Sequence, residues 1–356
     1  MRITLLVVMN NRVAIFSDLH LGVHQNSNFW IDTSAKWAEW FKNDLESKDI
    51  DTLVFCGDLF HYRDEVSLVT LDAAQRVLEI LKDFKIYMIT GNHDCYYKET
   101  SEVNSLSLLK GWSNITVFDK LTSNINIKSG TGYTFCPWGT KLTDIPKSNI
   151  VFGHFELKDF KMNMHKICDD GDDPAILSEK TPLVFSGHFH LRDEKTIDGC
   201  NIVYIGNPFE MDFGDSLQKK GYYILDTQRT EYTFIEYKDT PKHINVHLSR
   251  LVQLKEVEDH FNSFIPNNII KLTIDKNIST DHLDSLVAKL QTYKPNDLIV
   301  DHDVNYNKIK LKEEDQVDLS GVDIVQAIEE FVNLMDINNK KEVVDYTVNL
   351  YNRSKL

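Results

Sequence analysis

Long apolar runs are missing from this 356-residue chain. None approaches the ~18 residues that a helical membrane span requires, so no membrane partner is expected. Cysteine is scarce. Cys56, Cys95, Cys136, Cys168 and Cys200 are odd in number, widely spaced and without a CxxC pair. That excludes a disulfide framework and fits a reduced, cytoplasmic protein. Positive charge is short as well: 39 Lys and Arg stand against 54 Asp and Glu, a net charge of −15. A broad basic surface for naked nucleic acid is thereby disfavoured. Phosphate substrates bound through metal cations are not. No GxxxxGK[ST] phosphate loop occurs, so any ATP-driven step must come from another chain. Internal repeats and low-complexity tracts are absent too. Met1 to Val8 has only a short apolar core and no small-residue cleavage site, so it is not read as a secretory signal. Residues 1–8 are expected to be dispensable for folding.

The hydrophobic content of 42% is that of a globular protein. Five times, a short apolar strand runs straight into residues that bind metals. Arg12–Ser17 leads to Asp18-Leu19-His20, and Thr52–Cys56 to Gly57-Asp58-Leu59-Phe60-His61. Lys85–Thr90 leads to Gly91-Asn92-His93-Asp94, and Asn149–Phe152 to Gly153-His154. Leu183–Phe185 leads to Gly187-His188-Phe189-His190. Residues i and i+2 of an extended strand point the same way, so Asp18 and His20, or His188 and His190, can face one site. Glycine before the ligand permits a tight turn and close backbone approach. Amphipathic helices are expected at about 33–47, with Trp37, Trp40, Phe41 and Leu45 on one stripe, and through Leu71, Ala74, Val77, Leu78 and Leu81. Strand, site, helix, repeated, predicts an α/β fold of βαβ units over residues 1–230.

Shorter strands follow at 114–118, 125–128, 133–136, 201–205 and 221–226, and these predict a second sheet. The stretch 157–179 reads as a surface loop over the site. Its acidic patch, Asp169 to Asp173, is taken as solvated in preference to a calcium site. Residues 231–302 form a small α/β module, with strands at 269–274 and 297–300 bracketing a helix at about 280–291. Residues 303–320 are a polar linker. Residues 321–356 are two amphipathic helices. Val322, Val325, Ile328, Val332 and Met335 stripe the first, with Ser320 as N-cap. Val343, Tyr346, Thr347, Leu350 and Tyr351 stripe the second. Core packing and docking are both open for this pair.

Ligand sites in α/β sheets lie at the carboxyl ends of strands. The inventory there is Asp18, His20, Asp58, Asn92, His154, His188 and His190, a donor mix suited to Mn²⁺, Fe²⁺ or Zn²⁺. Seven ligands are too many for one ion. Two ions bridged by Asp58 would use them all, and two cations ~3.5–4 Å apart can clamp a phosphoryl group for in-line attack. His93 is left over. Beside the second metal it could act as general acid for the leaving alkoxide, with Asp94 orienting its imidazole. His61 could steady a phosphate oxygen. Tyr62-Arg63 and Tyr96-Tyr97-Lys98 follow the ligand turns. They are read equally as a nucleic-acid grip or as ordinary loop surface. Cys56 and Cys95 are read as packing residues.

The ordered set Asp-x-His, Gly-Asp-x-x-His, Gly-Asn-His-Asp, Gly-His and Gly-His-x-His resembles the calcineurin-like metallophosphoesterases. Within them, Ser17 to Gly22, Gly57 to His61, Gly153 to Glu156 and Ser186 to His190 resemble the SbcD-type DNA-repair nucleases, and above all the recombination endonuclease subunits of T-even-like phages. The resemblance runs over most of the chain. It implies a metallophosphoesterase β-sandwich flanked by helices, two Mn²⁺ ions, 3′–5′ exonuclease action on duplex ends and endonuclease action on single strands or hairpins. One metal would take Asp18, His20, Asp58 and His190. The other would take Asp58, Asn92, His154 and His188. His93 would be the acid and His61 an auxiliary contact. The module would cap DNA, and the last helices would dock on an SbcC-type coiled-coil ABC ATPase. A homodimer, and host cytoplasm for a viral protein, are implied as well. The capping module is short and not basic, which puts part of the DNA grip on the ATPase and on dimerisation.

The alternative is another metallophosphoesterase, such as a cyclic-nucleotide phosphodiesterase or phosphomonoesterase. A small-molecule enzyme has no evident need for the last ~120 residues, with their module, linker and helix pair. The complete ligand set speaks against a scaffold with a vestigial site. Serine/threonine phosphatases are disfavoured, because their Gly-Asp-x-Val-Asp-Arg-Gly and Gly-Asn-His-Glu are replaced here by Gly57 to His61 and Gly91 to Asp94.

Overall fold

Alternation along the first three strands decides the layering. In β1 (Arg12–Phe16), β2 (Thr52–Phe55) and β3 (Lys85–Ile89), one set of side chains, Ala14, Phe16, Leu53, Phe55, Ile86 and Met88, enters one buried cluster. Val13, Ile15, Val54, Tyr87 and Ile89 enter another. Successive residues point to opposite faces, so strands apolar on both faces must be covered on both sides. The computed structural model describes residues 10–164, 166–216, 218–251, 257–276, 278–302, 332 and 340–353.

Helices cover the outer face. α1 (Asn28–Ser47) presents Trp37, Phe41 and Leu45, and α2 (Leu68–Ile80) presents Ala74, Val77 and Leu78. Burying each large side chain contributes about 1.5–3 kcal/mol. Ser67 caps α2 by accepting from the Thr70 N–H at 3.1 Å. α1 begins five residues before the expected start at 33.

Three further strands complete the first sheet: β4 (Ile115–Phe118), β13 (Gly221–Asp226) and β14 (Glu231–Glu236); β4 and β13, expected in the second sheet, pair instead with β3 and β1. Its order is β14-β13-β1-β2-β3-β4. The second sheet contains β5 (Thr122–Ile127), β6 (Gly130–Cys136), β7 (Ile150–His154), β10 (Leu183–Gly187), β11 (Asp193–Ile197) and β12 (Cys200–Tyr204), ordered β11-β12-β10-β7-β6-β5. Phe135, Phe152, Phe185 and Val203 of this sheet share the buried cluster of Val13, Ile15 and Val54. The result is a β-sandwich with helices on its flank, of mixed α/β class. β1, β2 and β3 pair in parallel, as do β6, β7, β10 and β12.

Two boundaries differ from expectation. β14 pairs with β13 along its whole length, so the first sheet runs six residues past the expected break at 230. The stretch 157–179 is not a bare surface loop. It carries β8 (Lys161–Asn163) and β9 (Lys166–Ile167), and it buries Leu157, Phe160, Cys168 and Leu177 against the second sheet. Asp172 exchanges backbone hydrogen bonds with Glu156 and Lys158, which pins the acidic patch to the strand end after β7.

Beyond the sandwich, β15 (His243–His247), β16 (Ile269–Ile274) and β17 (Asp297–His302) make a parallel sheet of order β15-β16-β17. α3 (Val257–Phe264) and α4 (Thr280–Thr292) accompany it. Phe261, Ile270, Leu272 and Leu290 form its core. The expected strands at 269–274 and 297–300 are joined here by a third, β15. Contacts divide the chain after His302. In the second unit, α5 (Lys340–Arg353) spans the second expected C-terminal helix. Residues 1–8, the linker at 303–320 and, but for Val332, the first C-terminal helix lie outside the described residues.

Candidate metal centre

The five ligand-bearing strand ends meet along one edge of the sandwich. The turns after β1 and β2 are laced by backbone bonds: Asp18 N–H to Gly57 O at 2.9 Å, His20 N–H to Asp58 O at 3.1 Å and Leu21 N–H to Leu59 O at 2.8 Å. Asp18, His20, Asp58 and His188 all have positive φ, from 44° to 91°. Side chains rarely adopt that conformation, and it gathers at sites where the surroundings enforce it. Gly187 permits a close approach of the strand ends. A Cβ there would lie 2.1 Å from Ser17 Oγ and 2.4 Å from the Cys56 carbonyl oxygen.

Asp94 holds the third turn. Its buried carboxylate accepts from the backbone N–H groups of Gly91 (2.9 Å), Asp58 (2.9 Å), Leu59 (3.0 Å) and Phe60 (3.1 Å). Contrary to the expectation from sequence, it therefore does not orient the His93 imidazole. That ring is held instead by its Nδ1, which donates to the His61 carbonyl at 2.5 Å. Nor does His93 stand on the side of Asn92, His154 and His188. Its ring meets His20 edge-on at 4.7 Å and stacks on His61 at 5.5 Å.

All seven expected ligands converge. His190 Nε2 lies 2.9 Å from His20 Nε2, and Asp18 Oδ1 lies 3.9 Å from that same His20 nitrogen. On the other side, one Asn92 amide atom lies 2.8 Å from His188 Nδ1, 3.0 Å from His154 Nε2 and 3.3 Å from Asp58 Oδ2. Asp58 Oδ2 stands between the groups, 3.6 Å from His20 Nε2 and 3.4 Å from His154 Nε2. The groups Asp18, His20, His190 and Asp58, His154, His188 each bring their ligand atoms within 4.8 Å of one another. Ring nitrogens and carboxylate oxygens crowd together in this largely buried site, where a cation between them would satisfy several at once. The donor set fits two divalent ions bridged by Asp58. The Cys56 carbonyl accepts from His154 Nδ1 at 2.7 Å, which leaves Nε2 free to ligate.

Sequence reasoning missed several neighbours. Trp138 lies with its ring 5.1 Å from His188, and its indole donates to the Lys98 carbonyl at 2.6 Å. Asp215, salt-bridged to buried Lys220 at 3.4 Å, faces His190 Nδ1 at 3.8 Å. Lys220 also donates to the His190 carbonyl at 2.8 Å. None of these lies in a strand-end motif, so spacing carried no signal. Arg63 follows a ligand turn in sequence, and its Nη2 reaches to 2.7 Å from the Asn92 amide.

Without ions the cluster is electrostatically frustrated. Burial and the Asp58 charge push Asp18 up to about 6, against His154 and His190. Burial pushes Asp58 up too, but His154 and His20 outweigh it and hold the carboxyl well below the usual range. Burial opposes charge on His154, but Asp58 and Asp18 raise it to about 9. Burial, with His154 beside it, lowers His188 to about 3. Beside Asp58 and Asp18 the protonated form of His154 is favoured, and an ion taking Nε2 would displace that proton. Metal binding should release about one proton, and affinity should rise with pH up to about 9 and fall further below about 6 as Asp18 protonates. Titration calorimetry at pH 7 in two buffers of different ionisation enthalpy measures the release. Identical heats in both buffers would refute it.

A buried pair of three-donor groups at the joined strand ends of a two-sheet sandwich defines a class, the metal-dependent phosphoesterases. The chain belongs to the calcineurin-like phosphoesterase family, which it matches over residues 11–192. It is similar to exonuclease subunit 1 of Enterobacteria phage T4, 26% identical over 96% of this chain and 98% of that one. It is similar also to the SbcD component of the SbcCD nuclease of Staphylococcus epidermidis, 23% identical over 84% of this chain and 88% of that one. Among solved structures, an archaeal phosphodiesterase is similar at 18% identity and a TM-score of 0.36, over 64% of this chain and 99% of that one. A dimetal phosphatase from Danio rerio is similar at 10% identity and a TM-score of 0.39, over 65% of this chain and 100% of that one.

Proposed function

We propose that this phosphodiesterase is a DNA nuclease, a 3′–5′ exonuclease on duplex ends and an endonuclease on single strands and hairpins. The proposal places it in the cytoplasm as a homodimer, beside a coiled-coil ABC ATPase. One observation carries the reading: the likeness to a phage exonuclease subunit covers 96% of the chain, far beyond the phosphoesterase region at 11–192. The small module belongs to that added length. Exposed Leu68, Val69, Val103 and Leu108 support self-association, because burying them in a dimer removes apolar surface from water.

Two divalent ions, taken here as Mn²⁺, would supply Lewis-acid charge on the phosphoryl oxygens and activate the attacking water. Asp18, His20 and His190 would hold one, Asn92, His154 and His188 the other, and Asp58 both. The chain's own residues do the rest. Asp94 fixes the turns that carry Asp58 and Asn92. The His61 carbonyl accepts from His93 Nδ1 and fixes the ring; the imidazolium form would carry the second proton, on Nε2, for the departing alkoxide. Burial and the neighbouring His93 lower His61 to about 4, so it meets a phosphate oxygen as a neutral hydrogen-bond donor.

Pure protein with Mn²⁺ should cleave end-labelled duplex and hairpin DNA as well as bis(p-nitrophenyl) phosphate. Cleavage of the small diester alone would overturn the nuclease reading in favour of a small-molecule phosphodiesterase. Deleting residues 321–356 should abolish co-purification with the ATPase and spare hydrolysis of the small diester. Undiminished co-purification would remove the docking role of these helices.

A further inference from the structure

Against the metal centre lies an open surface hollow of about 540 Å³. Its walls include His61 and His93, and beside them Tyr62, Arg63, Tyr96 and Lys98. Tyr96 and Tyr97 are 55% and 53% exposed and meet edge to face at 5.0 Å. Neither belongs to any buried cluster of the described residues. Packing therefore does not explain two adjacent aromatic rings here.

The hollow is built on fixed elements. Tyr96 follows Asn92 to Asp94 closely, and its N–H donates to the Val103 carbonyl at 3.0 Å. The Tyr62 hydroxyl accepts from the Gln25 N–H at 3.3 Å, and its ring lies 4.8 Å from His61, edge-on. Arg63 reaches to 2.7 Å from Asn92. An aromatic face beside positive charge is what an unpaired base and its phosphate need. Stacking tolerates any base, and the cations follow the backbone.

We propose that this hollow is the subsite for the nucleoside on the leaving side of the scissile phosphate, with its unpaired base stacked on Tyr96 and its phosphate near Arg63 and Lys98. The inference rests on the nuclease reading and on His93 as the acid. The group that protonates the leaving oxygen forms one wall of the hollow, so the nucleoside carrying that oxygen lies on this side. A base inside a duplex stack cannot offer its face to Tyr96. The subsite therefore selects strands that are frayed or unpaired at that nucleotide.

The test is a cycle between protein and substrate. Short single strands with one abasic residue on either side of the cleaved bond are digested with Mn²⁺ by wild type, Tyr96→Ala and Tyr96→Phe. An abasic residue on the leaving side should lower kcat/KM of wild type about 5- to 150-fold. Tyr96→Ala should show a similar loss on the intact strand and no further loss on the abasic one. Tyr96→Phe, which keeps the ring, should behave as wild type. An abasic penalty of equal size in wild type and Tyr96→Ala would overturn the subsite, as would a penalty only on the opposite side of the bond or none at all. Wild type that hydrolyses bis(p-nitrophenyl) phosphate but no DNA would overturn the nuclease reading and the subsite together.

Discussion

Asp58→Asn should lower hydrolysis of bis(p-nitrophenyl) phosphate about 10³- to 10⁴-fold and abolish binding of a second Mn²⁺ ion. Asp58 Oδ2 lies 3.6 Å from His20 Nε2 and 3.4 Å from His154 Nε2, so it is the carboxylate within reach of both groups. An amide keeps the volume but loses the charge that balances two cations. Loss of the second ion removes several kcal/mol of charge stabilisation in the transition state, at about 1.4 kcal/mol per tenfold in rate. Asp58 Oδ1 also accepts the His93 N–H at 2.8 Å, a bond that the Asn carbonyl can keep. The turn should therefore survive while the bridge does not. Equilibrium titration with Mn²⁺ beside a thermal melt separates these effects. Two ions bound by a folded Asp58→Asn variant would refute the bridging role.

His93→Ser should lower DNA cleavage about 10²- to 10⁴-fold, the usual contribution of a general acid, with Mn²⁺ binding nearly intact. The leaving group decides the size of the loss. A deoxyribose alkoxide needs a proton as it departs, whereas p-nitrophenolate leaves without one. The variant should therefore retain much more activity on bis(p-nitrophenyl) phosphate than on DNA. Equal losses on the two substrates would refute proton donation and point to damage at His20, on which the His93 ring rests at 4.7 Å.

The strand-end motifs were legible because their chemistry and their strands are local. Asp18, Asp58, Asn92, His154 and His188 each follow a short apolar run, and parallel pairing brings such runs to one edge. What escaped depended on tertiary contacts. β11 has the polar sequence Asp193-Glu194-Lys195-Thr196-Ile197, because an edge strand paired on one side need not be apolar. β14 alternates polar and half-buried residues for the same reason. Adjacency in sequence misleads at Asp94. A carboxylate next to a histidine suggests an orienting pair, but buried N–H groups of the Gly91 and Asp58–Phe60 turns claim it. The stretch at 157–179 resembles a loop because its fully buried apolar residues, Leu157, Phe160, Cys168 and Leu177, fall at no regular spacing.

The four N–H bonds to Asp94 also bear on how ions enter. They join the Gly91 turn to the Asp58–Phe60 turn through protein groups alone. The conformational freedom of these turns is thus lost on folding, not on metal uptake. Turns held by protein groups in this way would spare the ions the cost of ordering a loop. Association should then be governed by dehydration of the ion and by departure of the His154 proton, and not by rearrangement of the backbone.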